Sequence, residues 1–133
     1  MFLNQRQAPL KAILVAIDHP ESIPALLQAI QDETPCLVLT VSNSLEAVEA
    51  TEEWMPDLLI LDYYLSPLNG IELADHIHAR KKMGHIPTIM LSDQRPHEER
   101  EINKRGLLSL GRAFELKDLL ALLETAFNRS SCS

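Results

Sequence analysis

The chain has 133 residues and an apolar share of 46%, enough for one globular domain with a real core. Nineteen acids against twelve lysines and arginines give a formal charge of −7, which argues against direct nucleic-acid binding; the one concentrated positive run, Arg80-Lys81-Lys82, reads as a solvated helix end. Two cysteines make no disulfide framework, residues 1–11 hold no signal-peptide core, and no stretch approaches the ~20 apolar residues of a membrane span, so a cytoplasmic protein without a membrane partner is expected.

Residues 1–10 are mixed and polar and read as an N-terminal extension. Five short apolar runs follow: Ala12–Ile17, Cys36–Val41, Leu58–Leu61, Thr88–Leu91 and Leu107–Leu110. Runs of this length without polar alternation predict strands buried on both faces, as in a parallel sheet. Helical patterns separate them. Ile23, Leu26, Leu27 and Ile30 share one helix face, with Pro24 in the first turn. Asn43 and Glu46 have the spacing of a capping box and open a helix through Leu45, Val48 and Trp54. Ile71, Ala74 and Ile77 mark a third helix. The fourth, about Pro96 to Arg105, is led by acids and closed by bases, with Gly106 able to end it. The fifth carries Leu116, Leu119, Leu120, Leu123 and Phe127, and residues 129–133 read as a C-terminal tail.

Strand and helix alternate five times. That predicts a doubly wound α/β domain over residues 11–128: a five-stranded, mostly parallel sheet with helices on both faces. Binding sites in such sheets lie beyond the carboxyl ends of the strands. Those ends carry Asp18, Asp62, Ser92 and Arg112. Two carboxylates at one edge suit a hard cation such as Mg²⁺, and with a hydroxyl and a fixed positive charge they suit a phosphoryl group. Alternatively, Asp18 and Asp62 cap the helices that follow them. For Asp62 Pro67 and Gly70 weaken that alternative, since they keep the next helix several residues away.

The strongest stretch is Pro56-Asp57-Leu58-Leu59-Ile60-Leu61-Asp62, with Gly70 eight residues after Asp62. With Ile86-Pro87-Thr88-Ile89-Met90-Leu91-Ser92 and the segment Arg112 to Phe114, it resembles the receiver domain of two-component response regulators, from about Lys11 to Phe127. The resemblance implies the (βα)5 receiver fold, of flavodoxin-like type, and a switch that is not an enzyme. Asp62 would accept a phosphoryl group from a phosphohistidine on a sensor histidine kinase or histidine phosphotransfer protein. Mg²⁺ would be held by Asp62, Asp18 and the backbone carbonyl of Tyr64, and Ser92 would donate to the acyl phosphate. Arg112 stands where the family has its lysine. The face of the fourth helix, fifth strand and fifth helix would meet a downstream effector protein or a second copy of the chain. Nothing of domain size follows Phe127, so the output passes to another protein, or the chain is cut from a longer one.

Several positions depart from the family pattern. Ile17 stands where an acid is usual, beside Asp18 and His19. Asp93 replaces a small residue, Ala113 a proline, and Ser109 the aromatic residue of the fifth strand. A lost carboxylate weakens Mg²⁺ binding, and an added one repels an incoming dianion. These changes support a second function, a pseudo-receiver that binds a partner without taking phosphate. Tyr63 and Tyr64 either gate Asp62 or divide into a packed and an exposed ring. The five histidines read as surface residues, and Leu108 and Leu122 as exposed leucines or part of a dimer surface. A cofactor-binding flavodoxin-like role lacks a glycine loop after the first strand.

Overall fold

The computed structural model describes residues 11–18, 24–112 and 114–131. The expected extension over residues 1–10, together with His19, Ile23, Ala113 and the last two residues, lies outside them. The strands are β1 (Lys11–Ala16), β2 (Cys36–Val41), β3 (Leu58–Asp62), β4 (Thr88–Ser92) and β5 (Leu108–Gly111). They alternate with α1 (Pro24–Glu33), α2 (Ser44–Glu53), α3 (Gly70–His78), α4 (Pro96–Lys104) and α5 (Leu116–Ser131), and a short 3-10 turn lies at Lys81–Met83. All strand pairs are parallel, in the order β2-β1-β3-β4-β5. The chain winds outward in both directions from β1, which puts the switch point beside the central strand β3.

The apolar runs lack alternation because both faces of the sheet are covered. Leu14, Ala16, Leu59, Leu61 and Met90 point into one core with Ala47 of α2, Leu73 and Ile77 of α3 and Ile102 of α4. Ile13, Val15, Ile17, Ile60, Ile89 and Leu91 point into the other with Ile30 of α1 and Leu119, Leu123 and Ala126 of α5. Successive residues of a strand face opposite ways, so each run feeds both cores.

Some boundaries and faces differ from expectation. Leu107 lies in the turn that closes α4, not in β5, because its N–H bonds the Ile102 carbonyl (3.1 Å) while that of Gly106 bonds Asn103 (3.0 Å). This pattern closes a helix when the residue after the cap has positive φ, and Gly106 has φ 70°. Helix α5 runs on through Ser131, into the expected tail. In α2 the buried residues are Ser44, Ala47 and Thr51, so Leu45 is exposed. Small residues let α2 lie close, and Val48 and Trp54 pack from its margin.

The capping box expected at Asn43 is only half formed. Asn43 Oδ1 accepts the Glu46 N–H (2.8 Å), but Glu46 turns to the N–H and hydroxyl of Ser42. The reciprocal box is at Asn69, whose side chain accepts from Glu72 N while Glu72 accepts from Asn69 N. Arg80 is not simply solvated, since it donates to Thr51 Oγ1 (2.7 Å). Leu108 and Leu122 pack partly buried against the second core. His78 is half-buried, not freely exposed. Its Nε2 lies 3.1 Å from the Ile86 carbonyl and 3.0 Å from Thr88 Oγ1, and burial lowers its pKa against the smaller raising effects of Ile86 and Asp75.

Candidate functional site

Strand register brings the carboxyl ends together. Asp62 pairs with Leu91, so Ser92 stands one step beyond it on β4, opposite Gly111 of β5. Arg112 follows, and its N–H donates to the Ser92 carbonyl (2.9 Å). On the other side Ala16 pairs with Leu61, which carries Ile17 and Asp18 to the same edge. Asp57 anchors the start of this arrangement: its carboxylate and its N–H bond the N–H and carbonyl of Ala12, each at 2.7 Å.

Asp62 is 4% exposed. Its Oδ1 accepts the Tyr64 N–H (3.0 Å) and pairs with the Arg112 guanidinium. Asp62 therefore caps its own turn, while Asn69 caps the next helix, α3. Gly70 is required beside it. A Cβ at Gly70 would lie 2.5 Å from the Asp62 carbonyl oxygen and 2.9 Å from Tyr63 Cα. The glycine eight residues after Asp62 is thus a packing requirement of the β3–α3 turn.

Arg112 is shared. Its Nε lies 3.4 Å from Asp93 Oδ1, and its guanidinium carbon is 5.5 Å from the centre of the Tyr64 ring. Partial burial lowers its pKa, but the hydrogen bond to Asp62 and the charges of Asp62 and Asp93 outweigh this and raise it. Ser92 is fully buried, and its Oγ accepts the Gln94 N–H (3.1 Å), which leaves the hydroxyl hydrogen to donate. Gln94 has φ 60°, the backbone form that fits this tight turn after β4.

Of the two tyrosines, Tyr63 packs against the first core, and Tyr64 is 41% exposed beside Asp62. Tyr64 Oη donates to Glu98 Oε2. Glu98 was not evident as a site residue in a charged helix, yet it is 1% exposed. Its sequence signal is its place in the first turn after Pro96, where a carboxylate can meet free backbone N–H groups. Burial raises its pKa, but hydrogen bonds from Tyr64 and the Arg95 and Asp93 amides outweigh that and lower it. Burial, then the bond to Glu98, pushes the Tyr64 phenol well above its ordinary value.

Mg²⁺ prefers hard oxygen ligands. Asp62, Asp18 and the Tyr64 carbonyl are of that kind, so the donor types at this edge fit the ion. Their charge is low: the position beside Asp18 is Ile17, buried in the second core, and no group of three or more His, Cys, Asp or Glu suited to a metal occurs among the described residues.

Residues 13–124 match the sequence profile of the response regulator receiver domain. The chain belongs to this family. Over 82 residues it is 39% identical to the alkaline phosphatase synthesis transcriptional regulatory protein PhoP of Bacillus subtilis, across 62% of this chain and 33% of that protein. It spans a third to a little over half the length of the regulators among its curated relatives. A CheY-like receiver domain from Methanospirillum hungatei shares the fold with a TM-score of 0.82 at 19% identity, covering 92% of this chain and 98% of that one. The receiver domain of sensor histidine kinase PA1611 from Pseudomonas aeruginosa, which has a magnesium ion in its active-site cleft, superposes with a TM-score of 0.76 at 22% identity, covering 90% and 99%. The chain is therefore a receiver domain of the two-component type, with the (βα)5 fold. No helix among the described residues is long and apolar enough to cross a membrane.

Proposed function

We propose that this receiver domain is a phosphoryl-accepting switch. Asp62 takes the group from a phosphohistidine of a sensor histidine kinase or histidine phosphotransfer protein, and the modified domain changes its contacts with an effector protein. It works in the cytoplasm, without direct nucleic-acid contact, and is not a turnover enzyme. The α4, β5 and α5 face would meet the effector or a second copy.

The observation that carries this reading is the buried Asp62 with the Arg112 cation on Oδ1 and the Ser92 hydroxyl on the adjoining strand. An Asp62 carboxylate oxygen attacks phosphorus. The P–O bond forms as the P–N bond breaks, and its electron pair leaves on the imidazole nitrogen. Arg112 offsets charge on the transferring group, and Ser92 donates to one of its oxygens. Asp18, Asp62 and the Tyr64 carbonyl would hold Mg²⁺, which supplies further charge neutralisation when bound.

The second reading, a pseudo-receiver, draws on the division of Arg112 between Asp62 and Asp93 and on the buried Ile17. Incubation with Mg²⁺ and acetyl phosphate, followed by intact mass, separates the two. The switch requires a phosphate adduct that Asp62→Asn abolishes. Absence of an adduct, both with acetyl phosphate and with a phosphohistidine donor protein, would establish the pseudo-receiver.

A further inference from the structure

In β5 the position where the family carries an aromatic residue is Ser109, so this chain has no ring there to turn. Its hydroxyl instead donates to Glu99 Oε2 of α4 (2.7 Å). The side chains around Asp62 form a closed circuit with the turn after β4 and the first turn of α4.

The circuit runs through Tyr64 and Glu98. Tyr64 bonds Asp62 Oδ1 with its backbone N–H (3.0 Å) and Glu98 with its phenol. The other oxygen of Glu98 accepts the N–H groups of Asp93 (3.1 Å) and Arg95 (3.4 Å). One buried carboxylate thus joins the turn after the acceptor to the N-terminus of α4. Arg112 closes the loop, since it holds Asp62 and Asp93 and lies over the Tyr64 ring.

We propose that Tyr64 and Glu98 are positioning residues that form a latch, carrying the state of Asp62 to the first turn of α4. This rests on the reading of Asp62 as acceptor. A phosphoryl group on Asp62 presents new anionic oxygens to Arg112, which must then be redivided between them and Asp93. Asp93 is released at its side chain, and Tyr64 loses the cation over its ring. Both changes end on Glu98, one through the Asp93 amide and one through the phenol. A buried carboxylate cannot lose its donors without cost, so the two ends move together.

The test uses the full chain with Mg²⁺ and beryllofluoride, a stand-in for the phosphoryl group, at saturation verified for each protein. Amide hydrogen exchange is followed at Asp93, Arg95 and the first turn of α4. In the wild type, beryllofluoride changes exchange there several-fold. Tyr64→Phe keeps the ring over Arg112 and removes only the phenol donor, and the response of α4 is lost while changes around Asp62 persist. A Tyr64→Phe protein with the wild-type α4 response overturns the latch, as does a saturated wild type whose α4 does not respond. A wild type that neither binds beryllofluoride nor forms a phosphate adduct removes the acceptor reading and the latch with it.

Discussion

Gly70→Ala tests whether the turn after Asp62 is built by close approach. The added Cβ would fall 2.5 Å from the Asp62 carbonyl oxygen, 2.7 Å from Met90 Sδ and 2.9 Å from Tyr63 Cα. Met90 can give, but two of these neighbours are backbone of β3 and its turn. Overpacking of this kind costs about 1–3 kcal/mol. Alanine recovers little through helix propensity, because Gly70 is the first residue of α3. At roughly 3–5 °C per kcal/mol for a domain of this size, the melting temperature should fall by about 3–15 °C. The control is Gly84→Ala. There the nearest neighbour, the His78 carbonyl, is at 3.4 Å, so its change should stay within about 0.5 kcal/mol. Thermal unfolding by circular dichroism reads both. A Gly70→Ala protein as stable as the wild type, or no less stable than Gly84→Ala, refutes the argument. Phosphate uptake adds an independent signal: displacement of the Asp62 backbone should slow adduct formation in Gly70→Ala and leave Gly84→Ala unaffected.

Three further outcomes are expected. Asn69→Ala removes the reciprocal cap of α3 and should cost about 1 kcal/mol in denaturant unfolding; an unchanged midpoint would contradict the cap. Burial depresses the His78 pKa, so the unfolded chain takes up the proton more readily. The contribution of His78 is fully present above its ordinary value of 6.5 and is lost as pH falls through that value toward the folded one. Melting temperatures between pH 7.5 and 5.5 should therefore decline on acidification, and His78→Gln should flatten the decline. Arg112→Ala should slow phosphate adduct formation about tenfold, less than an enclosed donor would, because Arg112 is 43% exposed; adduct formation at the wild-type rate would show that its charge is not used.

The fold was legible because strand and helix leave local marks. Five apolar runs, each bounded by polar or turn residues, predict five strands, and the structure places strands on all five. Asp62, Ser92 and Arg112 were legible as strand ends, and the register does bring them together. What local pattern could not supply was the partner across space. Asn43-Ser44-Leu45-Glu46 and Asn69-Gly70-Ile71-Glu72 have the same spacing, yet only the second closes into a box, because Ser42 takes the carboxylate of the first. Glu98 reads as one more acid on a charged helix until Tyr64 is seen to reach it. His78 reads as a surface residue until the Ile86 carbonyl meets its ring. Leu45 fits a helical apolar pattern, but the buried stripe of α2 is made of small residues one step away.

The departures at the site leave the fold untouched for a physical reason. Ile17 is the clearest instance. It follows β1 with its side chain in the second core, beside strand and α5 residues that require apolar neighbours. An acid there would have to leave that core or be buried at a cost. The isoleucine therefore extends the core by one residue while removing a charge from the site. Asp93 works the other way. It is exposed at the rim, adds nothing to either core, and draws part of Arg112 away from Asp62. Core packing and site charge are thus set by different atoms of neighbouring residues, and one can change without the other. An intact receiver fold is therefore weak evidence for phosphorylation; the division of Arg112 between Asp62 and Asp93 bears on it directly. Asp93→Ala, which frees Arg112 for the acceptor and removes a repelling charge, should accelerate adduct formation on Asp62, measured by intact mass over time with acetyl phosphate. A slower or unchanged rate would mean that Asp93 does not restrain the site.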